Sequence, residues 1–317
     1  FYQNGGLFAG LDNGNYQVVV TDFYGCQILG SNVSVVDGGA PSAPVAGSNA
    51  IYCEGESLVD LTATAGSGGD LNWYYDPSLT INIGSGSVLT PYNAVGTTNY
   101  YVTESVGGCE SPSTMVTVTI HQLPVGFATP ASQSLCSGDA TSIVLGSGVS
   151  GATYSWVCTS SSSDVTGYSN GGGGTINQTL STIAITPESV TYHVIPVANS
   201  CKGDTFEVVI TVNPIPVAGF AIAEDTICSN TQTDISLTSD VSNTSFSWTV
   251  SASGISGANG GSGSSIQQTL VNSGTGYGSA TYTITPVANS CSGASVDAEI
   301  TVNPVPDVSA MPSSQII

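Results

Sequence analysis

The sequence predicts an all-β chain of β-sandwich modules in tandem, and three observations carry that prediction. Cys53, Cys136 and Cys228 are each followed 20 residues later by a tryptophan, Trp73, Trp156 and Trp248, so a unit of roughly 80 to 90 residues recurs. Each unit closes on a β-branched run whose apolar residues alternate: Phe206, Val208, Ile210 and Val212 lie on one side of a period-two strand, and Val296, Ala298, Ile300 and Val302 repeat them. Short apolar runs are broken throughout by Gly, Asn and Pro, and no stretch shows helical periodicity.

The elements follow in chain order. Residues 1–37 read as the C-terminal part of a β repeat in which Tyr16, Val18 and Val20 alternate before the turn FYGC, and residues 38–50 read as a Gly/Ala-rich linker. Complete sandwiches are expected at 51–123, 124–215 and 216–306, separated by the short joints HQLPVG and NPIPVAG, whose prolines stiffen them. In each, the strand ahead of the second cysteine turns an aromatic and an aliphatic residue inward: Tyr100/Val102, Tyr192/Val194 and Tyr282/Ile284. A tryptophan on a strand between two cysteines, among several short strands, is the pattern of an Ig-like sandwich. Residues 307–317 read as the start of a further module, with a cysteine expected immediately after Ile317. The modules are expected in an extended array, bending if anywhere at 37–50.

Composition narrows the function. One basic residue, Lys202, stands against 22 acids for a net charge of −21, which leaves no patch to neutralise a phosphate backbone or an anionic bilayer, so neither nucleic acid nor membrane insertion is expected of this segment. Eight cysteines without a CxxC or a Cys/His cluster point to disulfides and an oxidising compartment rather than zinc. The repeat register predicts intramodule bridges Cys53–Cys109, Cys136–Cys201 and Cys228–Cys291. Cys158 shares a face with Tyr154 and Trp156 where the next unit has Val250, so it is expected as a free, buried thiol.

Chemistry-bearing patterns are few, and no enzyme is expected. Only two histidines are present; His193 falls on the solvent side of its strand, and His121 takes the place of Asn213 and Asn303 in the other joints. The run of four glycines at 171–174 lacks the lysine of a phosphate loop, and Asp12-Asn13-Gly14-Asn15 lacks the distal glutamate of a calcium loop. No cofactor is expected, though the acid pairs Glu54/Glu56 and Glu224/Asp225 near joints leave calcium open. Tyr74, Tyr75, Tyr92 and Tyr101 are the exposed aromatic candidates, and they form no strip.

The stretch CEGESLVDLTATAGSGGDLNWYYD with TTNYYVTESVGGCESPSTMVTVTI resembles the Ig-like modules of large type IX-secreted Bacteroidota proteins. The units carrying YSW or FSW and ending in ITVNPIP or ITVNPVP resemble their PKD-like modules, and GLDNGNYQVVVTDFYGC resembles the repeat of SprB-type gliding adhesins. The resemblance implies export to the bacterial cell surface and a non-catalytic stalk or adhesive role in a large adhesin or filament. The partners it implies are neighbouring modules of the same chain and an extracellular surface or polysaccharide. Such modules also serve as spacers or carbohydrate-binding accessory regions of secreted hydrolases, which is the alternative reading. Asp225-Thr226-Ile227 resembles the O-glycosylation motif of exported Bacteroidota proteins, making Thr226 a candidate glycan acceptor.

Overall fold

A computed structural model describes residues 11–35, 39–222 and 224–306, and every regular element in it is a strand. The expected module beyond 307 and the residue after Ile317 lie outside the described residues. The chain divides into two compact units, 1–122 and 123–317.

The first unit holds an antiparallel hairpin, Gly14–Thr21 with Gln27–Val35, and one complete sandwich. The larger sheet of that sandwich orders its strands Ala50–Cys53, Thr114–His121, Gly96–Val106, Asp70–Tyr74 and Asn82–Ser85. The smaller sheet contains Val45–Ala46, Leu61–Thr64 and Val88–Leu89. The second unit repeats this plan twice, with larger sheets built around Glu188–Ala198 and Phe206–Asn213 in the second sandwich and around Gly278–Ala288 and Val296–Asn303 in the third.

The predicted faces are the observed ones. Val208, Ile210 and Val212 are buried with Phe206 packed at their edge, and Ala298, Ile300 and Val302 are buried with Val296 beside them. Tyr100, Tyr192 and Tyr282 have no exposed surface. The tryptophans lie in the cores, and each indole N–H still finds a backbone carbonyl: Trp73 donates to Gly86, Trp156 to Ser169 and Trp248 to Asn259. A buried indole without a partner would lose its hydrogen bond to water uncompensated. The glycine run at 171–174 has a packing role, because a Cβ on Gly171 would stand 2.9 Å from the Trp156 ring.

A polar pin recurs in the second and third cores. Tyr192 Oη donates to Gln178 Oε1, while Gln178 Nε2 donates to the Ser169 carbonyl; Tyr282, Gln268 and Asn259 repeat the arrangement. Burial pushes both tyrosine hydroxyls above their ordinary range, so they stay neutral donors.

Candidate functional site: the bridge between consecutive sandwiches

The two cysteine positions of a module are made by different local structures. The second cysteine ends a two-residue turn: Asn199-Ser200 and Asn289-Ser290 have φ of 50°, 66°, 49° and 67°, and Gly107-Gly108 have 58° and 87°. Two successive positive φ values are those of a type I′ hairpin turn, which suits the right-handed twist of the flanking strands and favours Asn and Gly. Cys109, Cys201 and Cys291 thereby pair with Val106, Ala198 and Ala288. The first cysteine ends a short strand that runs parallel to the last strand of its own sandwich. Cys53 lies beside His121, Cys136 beside Asn213 and Cys228 beside Asn303.

That register overturns the intramodule bridges. In the second sandwich Cys136 is level with the Glu188 end of Glu188–Ala198, and Cys201 is level with the Ala198 end. Eleven residues of strand part them, roughly 30 Å at about 3.3 Å per residue, whereas a disulfide spans a Cα separation of about 4.4 to 6.8 Å. Strands Gly96–Val106 and Gly278–Ala288, also eleven residues each, impose the same separation on Cys53/Cys109 and Cys228/Cys291. The cysteines of one module sit at opposite poles.

The observed bridge joins one sandwich to the next. Cys136 is bonded to Cys291 with a Cα separation of 5.6 Å and a sequence separation of 155. This replaces the expected pairs Cys136–Cys201 and Cys228–Cys291. Cys53 is in a disulfide, and so is Cys201, so neither carries a free thiol. Cys109 and Cys228, expected in bridges, carry free and exposed thiols, as does Cys26.

The surroundings of the bridge are ordered by the same joint. Asn213 is buried and its Nδ2 donates to Ser134 Oγ and the Leu135 carbonyl, closing the parallel strand pair at its end. Asp139 Oδ2 accepts from the backbone N–H of Cys136. A cleft beside the bridge is lined by Gln133, Ser134 and Asn213 from one sandwich and by Asn289 and Ser290 from the other. The joint itself packs on the cysteine hairpin of the following sandwich: a Cβ on Gly293 would lie 1.9 Å from the Pro216 carbonyl oxygen, and one on Gly203 would meet the Pro124 carbonyl at 1.9 Å. Gly293→Ala must therefore push the joint away and is expected to lower stability by about 1 to 3 kcal/mol. Gly148→Ala, with nothing within 4 Å of the added Cβ, serves as the neutral control. Equal denaturation midpoints for the two variants would refute the packing role of Gly293.

Other expected positions resolve as follows. Cys158 is free but half-buried rather than buried; its backbone N–H and its thiol both reach Asn170 Oδ1, and partial desolvation raises its pKa. The edge of the sheet beside Asn170 leaves that thiol in partial contact with water. Thr226 is exposed on the strand Thr226–Cys228. Tyr74, expected at the surface, is buried, and its hydroxyl donates to Glu110 Oε1, while Tyr75 and Tyr92 are exposed. His193 pairs with Glu207 on the outer face of its strand. Among the described residues no three His, Cys, Asp or Glu side chains converge as metal ligands, and Glu56 is engaged in accepting the Cys53 N–H. No helix among them is long and apolar enough to cross a membrane.

Residues 133–216 and 225–306 each match the model of the PKD-like domain, and together they make up more than half of the sequence. The chain belongs to the PKD-like domain family. Its first sandwich lies within residues 41–121, which match the Ig-like domain described as CHU_C associated. No curated protein matches the chain. Among solved structures it is similar to human CDH23 EC21-23, at 9% identity and a TM-score of 0.42 over 83% of this chain and 100% of that one. It is also similar to the Escherichia coli adhesin FdeC, at 15% identity and 0.35 over 77% and 90%, and to extracellular domains 3–5 of Drosophila OTK, at 9% and 0.32 over 84% and 96%. The cysteine that ends the opening strand of one PKD-like module is thus bonded to the hairpin cysteine of the next.

Proposed function

We propose that this chain is a non-catalytic stalk or adhesive segment of a large secreted bacterial cell-surface protein, of the type IX-exported, gliding-adhesin kind that its modules resemble. The observation that carries the reading is the covalent tie between consecutive PKD-like modules, Cys136–Cys291. A bridge within a module limits how far that module unravels; a bridge across a joint keeps two modules together when the joint is pulled. That is a property useful to a chain that transmits force. Disulfides are kept in an oxidising compartment, in accord with an extracellular location. The partners proposed are neighbouring modules and an extracellular surface or polysaccharide, with exposed Thr226 as a glycan acceptor.

The test is made on cells that produce the protein. Antibodies raised against the chain are expected to label intact cells, and in-frame deletion of the segment encoding residues 41–306 is expected to preserve export of the parent protein while reducing surface attachment. Label found only after lysis would overturn the reading. Unchanged attachment with a loss of secreted hydrolase activity would replace it with the spacer reading.

A further inference from the structure

The pole of the third sandwich that carries Cys228 has the same residues with which the second sandwich holds its neighbour. In the second sandwich the motif Asn213-Pro214-Ile215-Pro216 leads into the following module, and Asn213, Pro214 and Pro216 are all buried there. The third sandwich ends in Asn303-Pro304-Val305-Pro306, where Asn303 and Pro304 are half-buried and Pro306 is exposed. Cys136, beside Asn213, is half-buried and bonded; Cys228, in the identical register beside Asn303, is exposed and free. Beneath both, the residue before the cysteine is anchored in the core, Leu135 at 6% and Ile227 at 4% exposure.

The opposite pole differs among the sandwiches in the same way. Cys291 and Cys201, each closed in a disulfide, are 1% exposed, and the paired Ala288 and Ala198 are 3% exposed. Cys109 stands at the same place after the same kind of turn, yet it is exposed, and its partner Val106 is 41% exposed.

We propose that the Cys228 pole is a docking and cross-linking site for the hairpin cysteine of a module of the same kind placed after residue 306, and that Cys109 is the corresponding acceptor for an opening-strand cysteine of a module placed before the first sandwich. The occupant is fixed by continuity with the Cys136–Cys291 joint: a type I′ turn ending in cysteine, followed two residues later by a glycine on which the Asn-Pro-x-Pro joint packs. The bond forms by oxidation of two thiols. Each loses a proton, and together they pass two electrons to a disulfide oxidant, such as oxidised glutathione or an exported thiol–disulfide oxidoreductase, which is reduced to two thiols. This site does not depend on whether the parent protein is adhesive.

Two measurements test it. In the full chain, iodoacetamide without denaturant is expected to label Cys109 and Cys228, while Cys136 and Cys291 label only after reduction. Next, two extended chains are made by fusing Val217–Pro306 or Val125–Pro216 directly after Pro306, refolded with oxidised and reduced glutathione, and mapped by mass spectrometry. Labelling of Cys228 is expected to be lost in both, with a new bridge from Cys228 to the hairpin cysteine of the added module, and serine in place of that added cysteine is expected to restore it. Absence of native labelling at Cys228 in the full chain, persistence of its labelling in both extended chains, or a bridge from Cys228 to Cys291 would each overturn the proposal.

Discussion

Trypsin acting on the unreduced chain, denatured in urea after its free thiols are alkylated, is expected to leave one covalent species that separates into residues 1–202 and 203–317 only when reductant is added. Lys202 is the only lysine or arginine, so there is a single cut, and it falls between Cys136 and Cys291. Intramodule pairing would place Cys136–Cys201 wholly in the first fragment and Cys228–Cys291 wholly in the second. The two fragments would then part without reductant, and that result would refute the bridge between sandwiches. The energetic consequence is also large. With a sequence separation of 155 between its cysteines, the bridge restrains the unfolded chain by about 5 kcal/mol in the chain-entropy model. Cys291→Ala, which removes the bond but leaves an apolar side chain in a buried position, is expected to cost about 3 to 5 kcal/mol of that, measured as a fall in the urea midpoint of the second and third sandwiches. The first sandwich, reported by Trp73, serves as the internal reference for unfolding within the same sample. Midpoints unchanged by the substitution would show that the bond constrains nothing in solution.

Glu104→Ala is expected to loosen the first sandwich by about 1 to 3 kcal/mol, because it removes the buried carboxylate that accepts three backbone N–H groups of one loop. Glu104 has no exposed surface, and its carboxylate takes the N–H groups of Gly66 at 2.7 Å, Ser67 at 2.9 Å and Gly69 at 2.7 Å. Its own backbone is tied down as well, the N–H donating to Ser111 Oγ and the carbonyl accepting from the Ser111 N–H. The carboxylate thus replaces the water that a glycine-rich loop would otherwise need, and charge-assisted bonds of this kind are the stronger class. Hydrogen exchange reads the effect locally: the amides of Gly66, Ser67 and Gly69 are expected to lose protection, while those of the second sandwich keep theirs. Glu104→Gln, which keeps the shape but only one good acceptor oxygen, is expected to fall between the two. Protection at the three amides that survives Glu104→Ala would mean the loop is held by something else.

Glu104 shows what a local strand pattern leaves open. Alternation from inward-facing Val102, two residues earlier on the same strand, turns it inward. Nothing in the local pattern said that a carboxylate could be satisfied there, because its donors lie 35 to 38 residues away in sequence. Tyr74 is the same case in reverse: a hydroxyl on a residue beside Trp73 reads as surface, until Glu110 arrives from another strand to accept its hydrogen bond.

What the sequence determined by itself was everything governed by a period of two and by turn chemistry. The all-β class, the three tryptophan cores, the inward faces of the closing strands and the repeat length follow from alternation, since a strand side chain has only two directions to take. The hairpin turns at Asn199-Ser200, Asn289-Ser290 and Gly107-Gly108 follow from residues that tolerate positive φ. The pairing of the cysteines was decided only by tertiary structure. Spacing along the chain puts Cys136 and Cys201 in one module, but the opening strand pairs parallel to the closing one, and that choice carries Cys136 to the far end of Phe206–Asn213 from the hairpin of Cys201. A disulfide forms between thiols that meet in space, and an eleven-residue strand, Glu188–Ala198, holds these two apart while the joint at Pro216 brings Cys291 to Cys136.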